Sequence, residues 1–237
     1  MLHPICHDEI RMHVHPQYRT AELEGEMIAY AEPRHSDIYR GDQRILYVPV
    51  FSGDSLRKGI LARRGYQFRR VEMYWRRDLE ELIPEVVVPS GYKLRSMGGI
   101  DEYPLRNWAS WRAFHADEPD ENFDDDPTWI QNLQSAPLYQ RDLDIVAIAG
   151  DGEIVGFCTI SYDDTTSSAV IVLDGTAEEH RRKGLGEAMV FEEMHRLKRL
   201  GCRWLFVTAM DEAENEFYRP LMHDYQVKEL WTKVWKP

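Results

Sequence analysis

Cysteine is scarce in this 237-residue chain: Cys6, Cys158 and Cys202 stand far apart and are odd in number. They offer neither a disulfide framework nor a CxxC metal site, and each reads as a buried apolar thiol. No apolar run approaches the roughly 18–20 residues that cross a bilayer, so no membrane partner is expected. The start of the chain, with Asp8, Glu9 and Arg11 close behind Met1, lacks the positive-then-apolar layout of a signal peptide. The expectation is a soluble, cytoplasmic protein. Positive charge is also short, 29 Lys and Arg against 41 Asp and Glu, for a net charge of −12. Nucleic acid is bound by clustered cations that release counterions, so it is not an expected partner. The acidic balance either favours a cationic partner such as an amine or is ordinary solubility charge. What the chain does have is a hydrophobic content of 43%, enough for a real core. Its length falls between one ordinary domain and two full ones.

The densest punctuation is at 80–91, where Pro84, Pro89 and Gly91 bracket an extended stretch. This predicts a linker over 81–91 between a unit at 1–80 and a domain at 92–237. In the second part, Tyr92–Arg95 reads as a strand, and Leu105, Trp108 and Trp111 at three-residue spacing predict an amphipathic helix over 101–115. Pro127 opens a second helix. Two apolar runs joined through Gly150-Asp151-Gly152 form a hairpin. A strand from Ala169 to Leu173 follows, then a helix with Ala188, Phe191, Met194 and Leu197 on one side, stopped at Gly201. The strand Arg203–Thr208, a short helix through Asn215 and Tyr218, and a strand from Val227 to Trp235 close the chain. The order β-αα-β-β-β-α-β-α-β predicts an α/β fold built on a mixed sheet.

Chemistry concentrates in Arg181-Arg182-Lys183-Gly184-Leu185-Gly186, between a strand and a helix. Gly184 and Gly186 let a ligand approach the backbone. The unpaired N–H groups of the first helical turn, with Arg181, Arg182 and Lys183 on the rim, make an anion cradle suited to a pyrophosphate. The bland alternative is a basic, solvated helix entry.

Arg181-x-x-Gly184-x-Gly186 resembles the Q/R-x-x-G-x-G/A signature of GNAT acetyltransferases, and Asn215-Glu216-Phe217-Tyr218 is similar to that family's N-x-x-A-x-x-x-Y region. The likeness covers nearly all of 90–237. Two departures stand out: Leu221-Met222-His223-Asp224 replaces the usual Gly-Phe pair, and Glu178 replaces a common proline. The resemblance implies the GNAT fold, acetyl-CoA as co-substrate, no metal, and transfer of the acetyl group to a primary amine on a small molecule or peptide by direct attack. It implies that Arg181, Arg182, Lys183, Gly184, Leu185 and Gly186 hold the pyrophosphate and that Asn215 lies in the cofactor region. The backbone at Gly175 and Thr176 would polarise the thioester. Tyr218 would be the general acid, able to protonate the departing thiolate, and Asp174 the candidate base. Plainer readings stay open: Tyr218 as a packing aromatic, Asn215 as a helix cap and Asp174 as a turn residue. So does a coenzyme A-binding sensor or interaction module without catalysis.

The first part echoes the second. A strand at Ile10–Val14 leads to His15-Pro16-Gln17-Tyr18-Arg19 and a helix with Leu23, Met27 and Tyr30 on one face. The strand Ile45–Val48, a helix over Asp54–Arg64 and a strand with Val71, Met73 and Trp75 on one side follow. In this copy Glu22 and Glu24 occupy the two glycine positions, where a carboxylate repels phosphate, and Leu61 stands at the tyrosine position. The unit is read as a shortened, degenerate GNAT-like copy in a tandem arrangement. Its exposed sheet edge would extend the C-terminal sheet or pair with another subunit, so a homodimer is a possible state. His3, Cys6, His7, His13 and His15 match no standard zinc spacing. The acidic run 117–126 lies where the family shapes its acceptor pocket. It is either a solvated loop or a recognition surface for a polyamine or aminoglycoside.

Overall fold

The computed structural model describes residues 2–6 and 8–237, with side chains from residue 8 onward. The chain forms two compact units. One comprises Met1–Trp75, Thr208–Arg219 and Asp224–Pro237; the other comprises Arg76–Val207 and Pro220–His223. The elements in chain order are β1 (Leu2–Cys6), β2 (Glu9–Met12), α1 (Ala21–His35), β3 (Asp37–Ile38), β4 (Arg44–Phe51), α2 (Ser55–Arg63) and β5 (Gln67–Asp78). They continue with β6 (Lys93–Ser96), α3 (Tyr103–Phe114), α4 (Thr128–Gln134), β7 (Tyr139–Ile148), β8 (Ile154–Asp163) and β9 (Ser168–Thr176). The last are α5 (Leu185–Arg199), β10 (Trp204–Ala209), α6 (Glu212–Tyr218) and β11 (Asp224–Trp235). From β6 onward this is the order expected from the sequence.

The first unit is a mixed sheet in the order β1-β2-β4-β11-β5. β2 runs parallel to β4, and β11 pairs antiparallel with β4 from Lys228↔Phe51 to Trp235↔Arg44. The last strand of the chain therefore completes the sheet begun by the first, and the unit boundary falls after Trp75 rather than at 81–91. The 81–91 stretch is extended, as its prolines require, but proline does not make a segment a hinge. Lys198 Nζ donates to the Glu81 carbonyl (3.1 Å), His195 Nε2 contacts the Pro84 carbonyl (2.9 Å), and Arg77 donates to the Leu82 carbonyl (2.7 Å). All of these partners lie within the second unit.

The core of the first unit joins Ile10, Ile28, Leu46, Val48, Leu61 and Tyr66, with Trp231 and Trp235 packed against them. Helix α1 turns one position away from its expected face. Glu24, Ile28 and Ala31 are buried, whereas Leu23 is 37% exposed and Tyr30 56% exposed. The cause is electrostatic. Glu24 is fully buried and receives hydrogen bonds from Arg19 and from Arg57 Nε (2.8 Å) and Nη2 (3.1 Å), while Arg57 also donates to the Met12 carbonyl (3.1 Å). Burial alone would raise the Glu24 pKa; the hydrogen bonds from Arg57 and Arg19 overcome it and hold the carboxyl below its ordinary value. Strand β5 departs from expectation in the same way, with Val71 exposed and Glu72 buried.

The second unit is a mixed sheet in the order β10-β9-β8-β7-β6, parallel between β9 and β10 and antiparallel elsewhere. The hairpin falls at the Asp-Gly turn, closed by Gly152 N–H to the Ala149 carbonyl (3.0 Å). Helix α5 buries Ala188, Phe191, Met194 and Leu197 as expected. It ends with Gly201 N–H on the Lys198 carbonyl and Cys202 N–H on the Leu197 carbonyl, the paired bonds of a Schellman stop. Cys158 and Cys202 are free, buried thiols.

Helix α3 buries Arg106, Asn107, Ala109, Ser110 and Ala113, not the face marked by Leu105, Trp108 and Trp111. The guanidinium of Arg106 is enclosed, its carbon 3.5 Å from the centroid of Phe157, and its pKa falls to about 10 because burial outweighs the pull of Asp144. Gly175, opposite Phe157 in the ladder, is a close-packing position: a Cβ there would lie 2.6 Å from Phe157 Cζ and 3.0 Å from Ala113 Cβ.

Two stability measurements check this packing. In Glu24→Ala, two guanidinium groups lose their buried partner. Denaturant unfolding should register a loss of about 3–5 kcal/mol at neutral pH, and a change under 1 kcal/mol would contradict the buried cluster. Because the Glu24 pKa is lowered by folding, its contribution is complete above the ordinary carboxylate range and fades as pH falls through the depressed value. Gly175→Ala should cost about 1–3 kcal/mol through overpacking against Phe157, and an unchanged midpoint would refute the close contact.

Candidate active site

The motif loop begins where β9 ends. After a single 3₁₀ turn at Glu178–His180, Arg182 (φ 58°) and Gly184 (φ 86°) both adopt left-handed backbone. Only Gly184 does so without strain. Gly184 is the N-cap of α5, and no side chain caps that helix start. The first intrahelical bond runs from Ala188 N–H to the Gly184 carbonyl (3.0 Å). The amides of Leu185, Gly186 and Glu187 thus have no partner inside the helix, at the positive end of a 15-residue dipole. Left-handed turns of this kind gather successive N–H groups into an anion-binding concavity.

The three cations divide their work differently from the expectation of a uniform charged rim. Arg181 donates to the carbonyls of Thr176 (3.1 Å) and Ala113 (2.6 Å), clamping the loop to the end of β9 and to α3. Lys183 donates to the Tyr92 hydroxyl (3.1 Å), which also meets His180 Nδ1 (2.9 Å). Burial and the nearby Lys183 charge lower the His180 pKa, which favours the neutral ring. Arg182 is exposed. The Tyr92–His180–Lys183 cluster was not legible in sequence, because Tyr92 lies about ninety positions away and carries no spacing signal.

Strand β9 runs beside β10 only from Ser168↔Trp204 to Val170↔Phe206. Beyond that point β9 continues to Thr176, with a bulge where its pairing to β8 shifts between Thr159↔Leu173 and Ile160↔Ile171. The result, within this unit, is a strand whose stretch from Ile171 to Thr176 is not paired to β10. Gly175 and Thr176 lie on that stretch. Asp174 does too, paired with Cys158 inside the strand. It is neither the strand's end nor a turn residue.

A cavity of about 410 Å³ opens between α3, α4 and the acidic loop, with Leu173 of β9 in its lining. Its walls are aromatic: Trp111, Phe114, Phe123 and Trp129. Trp111 stacks on His115 (4.2 Å between centroids) and Phe123 meets Trp108 edge-on (5.0 Å). Trp129 Nε1 donates to Asn107 Oδ1 (2.7 Å). Asp124 and Asp126 also line it. Of the residues whose spacing suggested a core-facing stripe on α3, Trp111 lines this cavity instead.

Asn215 and Tyr218 lie on α6, in the first unit. Asn215 accepts from Trp75 Nε1 (2.9 Å) and donates to the Asp211 carbonyl (2.7 Å), so its amide braces helix against strand. Tyr218 is 3% exposed and packs edge-on against Phe217 (4.9 Å). Leu221 and Met222, in place of the expected Gly-Phe pair, are buried. Among the described residues no group of His, Cys, Asp or Glu side chains is arranged to hold a metal, and no helix is long and apolar enough to cross a membrane. His15 Nδ1 instead accepts from Gln17 N–H (3.3 Å). The side chains of His3, Cys6 and His7 lie outside the described residues.

Residues 105–221 match the acetyltransferase (GNAT) family. No curated protein matches the sequence. A GCN5-related N-acetyltransferase from Sphaerobacter thermophilus is similar over 100% of this chain and 76% of its own, with a TM-score of 0.75 at 19% identity. A tandem GNAT protein from the clavulanic acid biosynthesis pathway is similar over 98% and 75%, with a TM-score of 0.68 at 15% identity. A GCN5-related N-acetyltransferase from Kribbella flavida covers 79% and 68%, with a TM-score of 0.56 at 17% identity. At such identities the likeness is one of fold. Residues 105–221 thus belong to the GNAT acetyltransferase family, and the chain has that family's fold.

Proposed function

We propose that the protein transfers an acetyl group from acetyl-CoA to a primary amine by direct attack in a ternary complex. The observation that carries this reading is the start of α5 at Gly184, without a side-chain cap and reached by a strand whose last residues are not paired to β10. A pyrophosphate suits the amides of Leu185 and Gly186, with Arg182 and Lys183 adding charge and Arg181 holding the loop in shape. The pantetheine arm suits the stretch of β9 that is not paired to β10, up to Gly175 and Thr176, whose backbone amides would stabilise the oxyanion.

In this account the neutral amine attacks the thioester carbon, and the tetrahedral intermediate collapses with loss of the carbon–sulfur bond. The surplus proton on nitrogen leaves to Asp174 or to water, and Tyr218 gives its proton to the departing thiolate. Asn215 acts indirectly, by bracing α6. The first unit is proposed to be a decayed relative of the same fold. Its α1 starts with Thr20 Oγ1 accepting from Leu23 N–H (3.1 Å), and buried Glu24 follows, so the site that α5 leaves open is filled by the chain's own groups.

Thiol release on mixing with acetyl-CoA and an amine panel tests the activity. Tyr218→Phe should lower turnover by about 10²–10⁴-fold while coenzyme A affinity is unchanged. Equal turnover removes Tyr218 from the mechanism. Coenzyme A uptake with no thiol release from any amine assigns the sensor reading instead.

A further inference from the structure

The cavity beside β9 constrains the acceptor. We propose that it takes a primary amine carried on a flat apolar body, an arylalkylamine in chemical class, with the ring between Trp111, Phe123 and Trp129 and the amine directed toward Leu173. The inference rests on the acetyl-transfer reading above. Its evidence is separate, because none of the cavity's walls belongs to the pyrophosphate loop.

Three observations carry it. The first is shape and lining. About 410 Å³ is at the small end of ligand pockets, right for one or two rings and a short methylene arm. The walls are side chains with few rotatable bonds, held by one another: Trp111 against His115 and Phe123, Trp129 by its bond to Asn107. Such a slot is preorganised for a planar ligand and forfeits little entropy on binding.

The second is charge. Asp124 and Asp126 each use Oδ1 in a local turn, to Asp126 N–H (3.1 Å) and to Thr128 N–H (3.0 Å) respectively, which leaves Oδ2 of each to meet an ammonium. Aromatic faces favour the same cation. Two other carboxylates of the acidic run are already engaged. Asp120 pairs with Arg112 (3.0 Å) and Glu118 with His115 (2.8 Å). A polyamine or aminoglycoside has little apolar surface to set against the aromatic walls and is therefore disfavoured.

The third is position. Leu173 immediately precedes Asp174 and Gly175 on the strand proposed to hold the thioester, so an amine reaching it arrives beside the reacting carbon.

The test compares phenethylamine, its saturated analogue cyclohexylethylamine, and spermine, by thiol release and by calorimetry on the full chain. Phenethylamine should exceed spermine in kcat/KM by at least about tenfold, and should bind better than the saturated analogue by the increment that aromatic stacking supplies. Trp111→Ala and Phe123→Ala should each raise the KM for phenethylamine about tenfold with coenzyme A affinity unchanged. Phe123→Leu, which keeps the volume and loses the ring, serves if the alanine variants do not fold. A preference for spermine, or a KM indifferent to these substitutions, overturns the proposal. If no amine is acetylated, the acetyl-transfer reading fails, yet calorimetry still decides the cavity. Phenethylamine uptake that is lost in Trp111→Ala or Phe123→Leu supports the assignment, and its absence in the wild-type chain refutes it.

Discussion

The structure depends on one constraint, the left-handed backbone of Gly184 at the start of α5. A helix start is normally closed by a serine, threonine or aspartate that accepts from the second or third amide. α1, α2 and α6 follow that rule, with Thr20, Asp54 and Asp211 in the role. α3, α4 and α5 have no side-chain cap. Of these three, α5 is the one entered through a run of basic residues, Arg181, Arg182 and Lys183. The loop keeps its shape because Arg181 ties it to Thr176 and Ala113, which couples the end of β9 and the end of α3 to the cradle.

Those ties explain why the cradle, the end of β9 and the aromatic cavity form one arrangement in the second unit. α3 supplies Trp111 and Phe114 to the cavity and, one residue earlier than Phe114, the Ala113 carbonyl to the clamp. β9 supplies Leu173 to the cavity, Gly175 to the close packing on Phe157, and Thr176 to the clamp. Buried Arg106, stacked on Phe157, stiffens the layer between them. In the first unit the same residue types reach the opposite outcome. Arg19, the counterpart of Arg181 by sequence, is drawn to Glu24 and Asp54 rather than to a loop that could receive a phosphate.

Much of this was legible in the sequence because the signals were local. The hairpin at 150–152, the amphipathic face of α5 and its stop at Gly201 follow from rules that act within four or five residues. The glycine-led start of α5 was legible for the same reason. What failed was whatever depended on distant partners. The faces of α1 and α3 turned because a carboxylate in one and a guanidinium in the other found buried partners that no hydrophobic pattern records. The boundary moved because β11 pairs with β4, nearly two hundred residues away. The expected linker proved to be tied to α5, since prolines specify extended backbone and say nothing of contacts. Arg181 and Lys183 were read as charges, when much of their work is to hold the loop.

The central claim is that the uncapped, glycine-lined start of α5 is a diphosphate site and that the rest of the site is built around it. Isothermal calorimetry with coenzyme A on the wild-type chain and on a variant with both Gly184→Glu and Gly186→Glu tests it directly. The account predicts saturable uptake by the wild type, weakened by added salt and absent in the double variant, whose fold is checked by circular dichroism. Uptake that survives both substitutions, or none in the wild type, would contradict it.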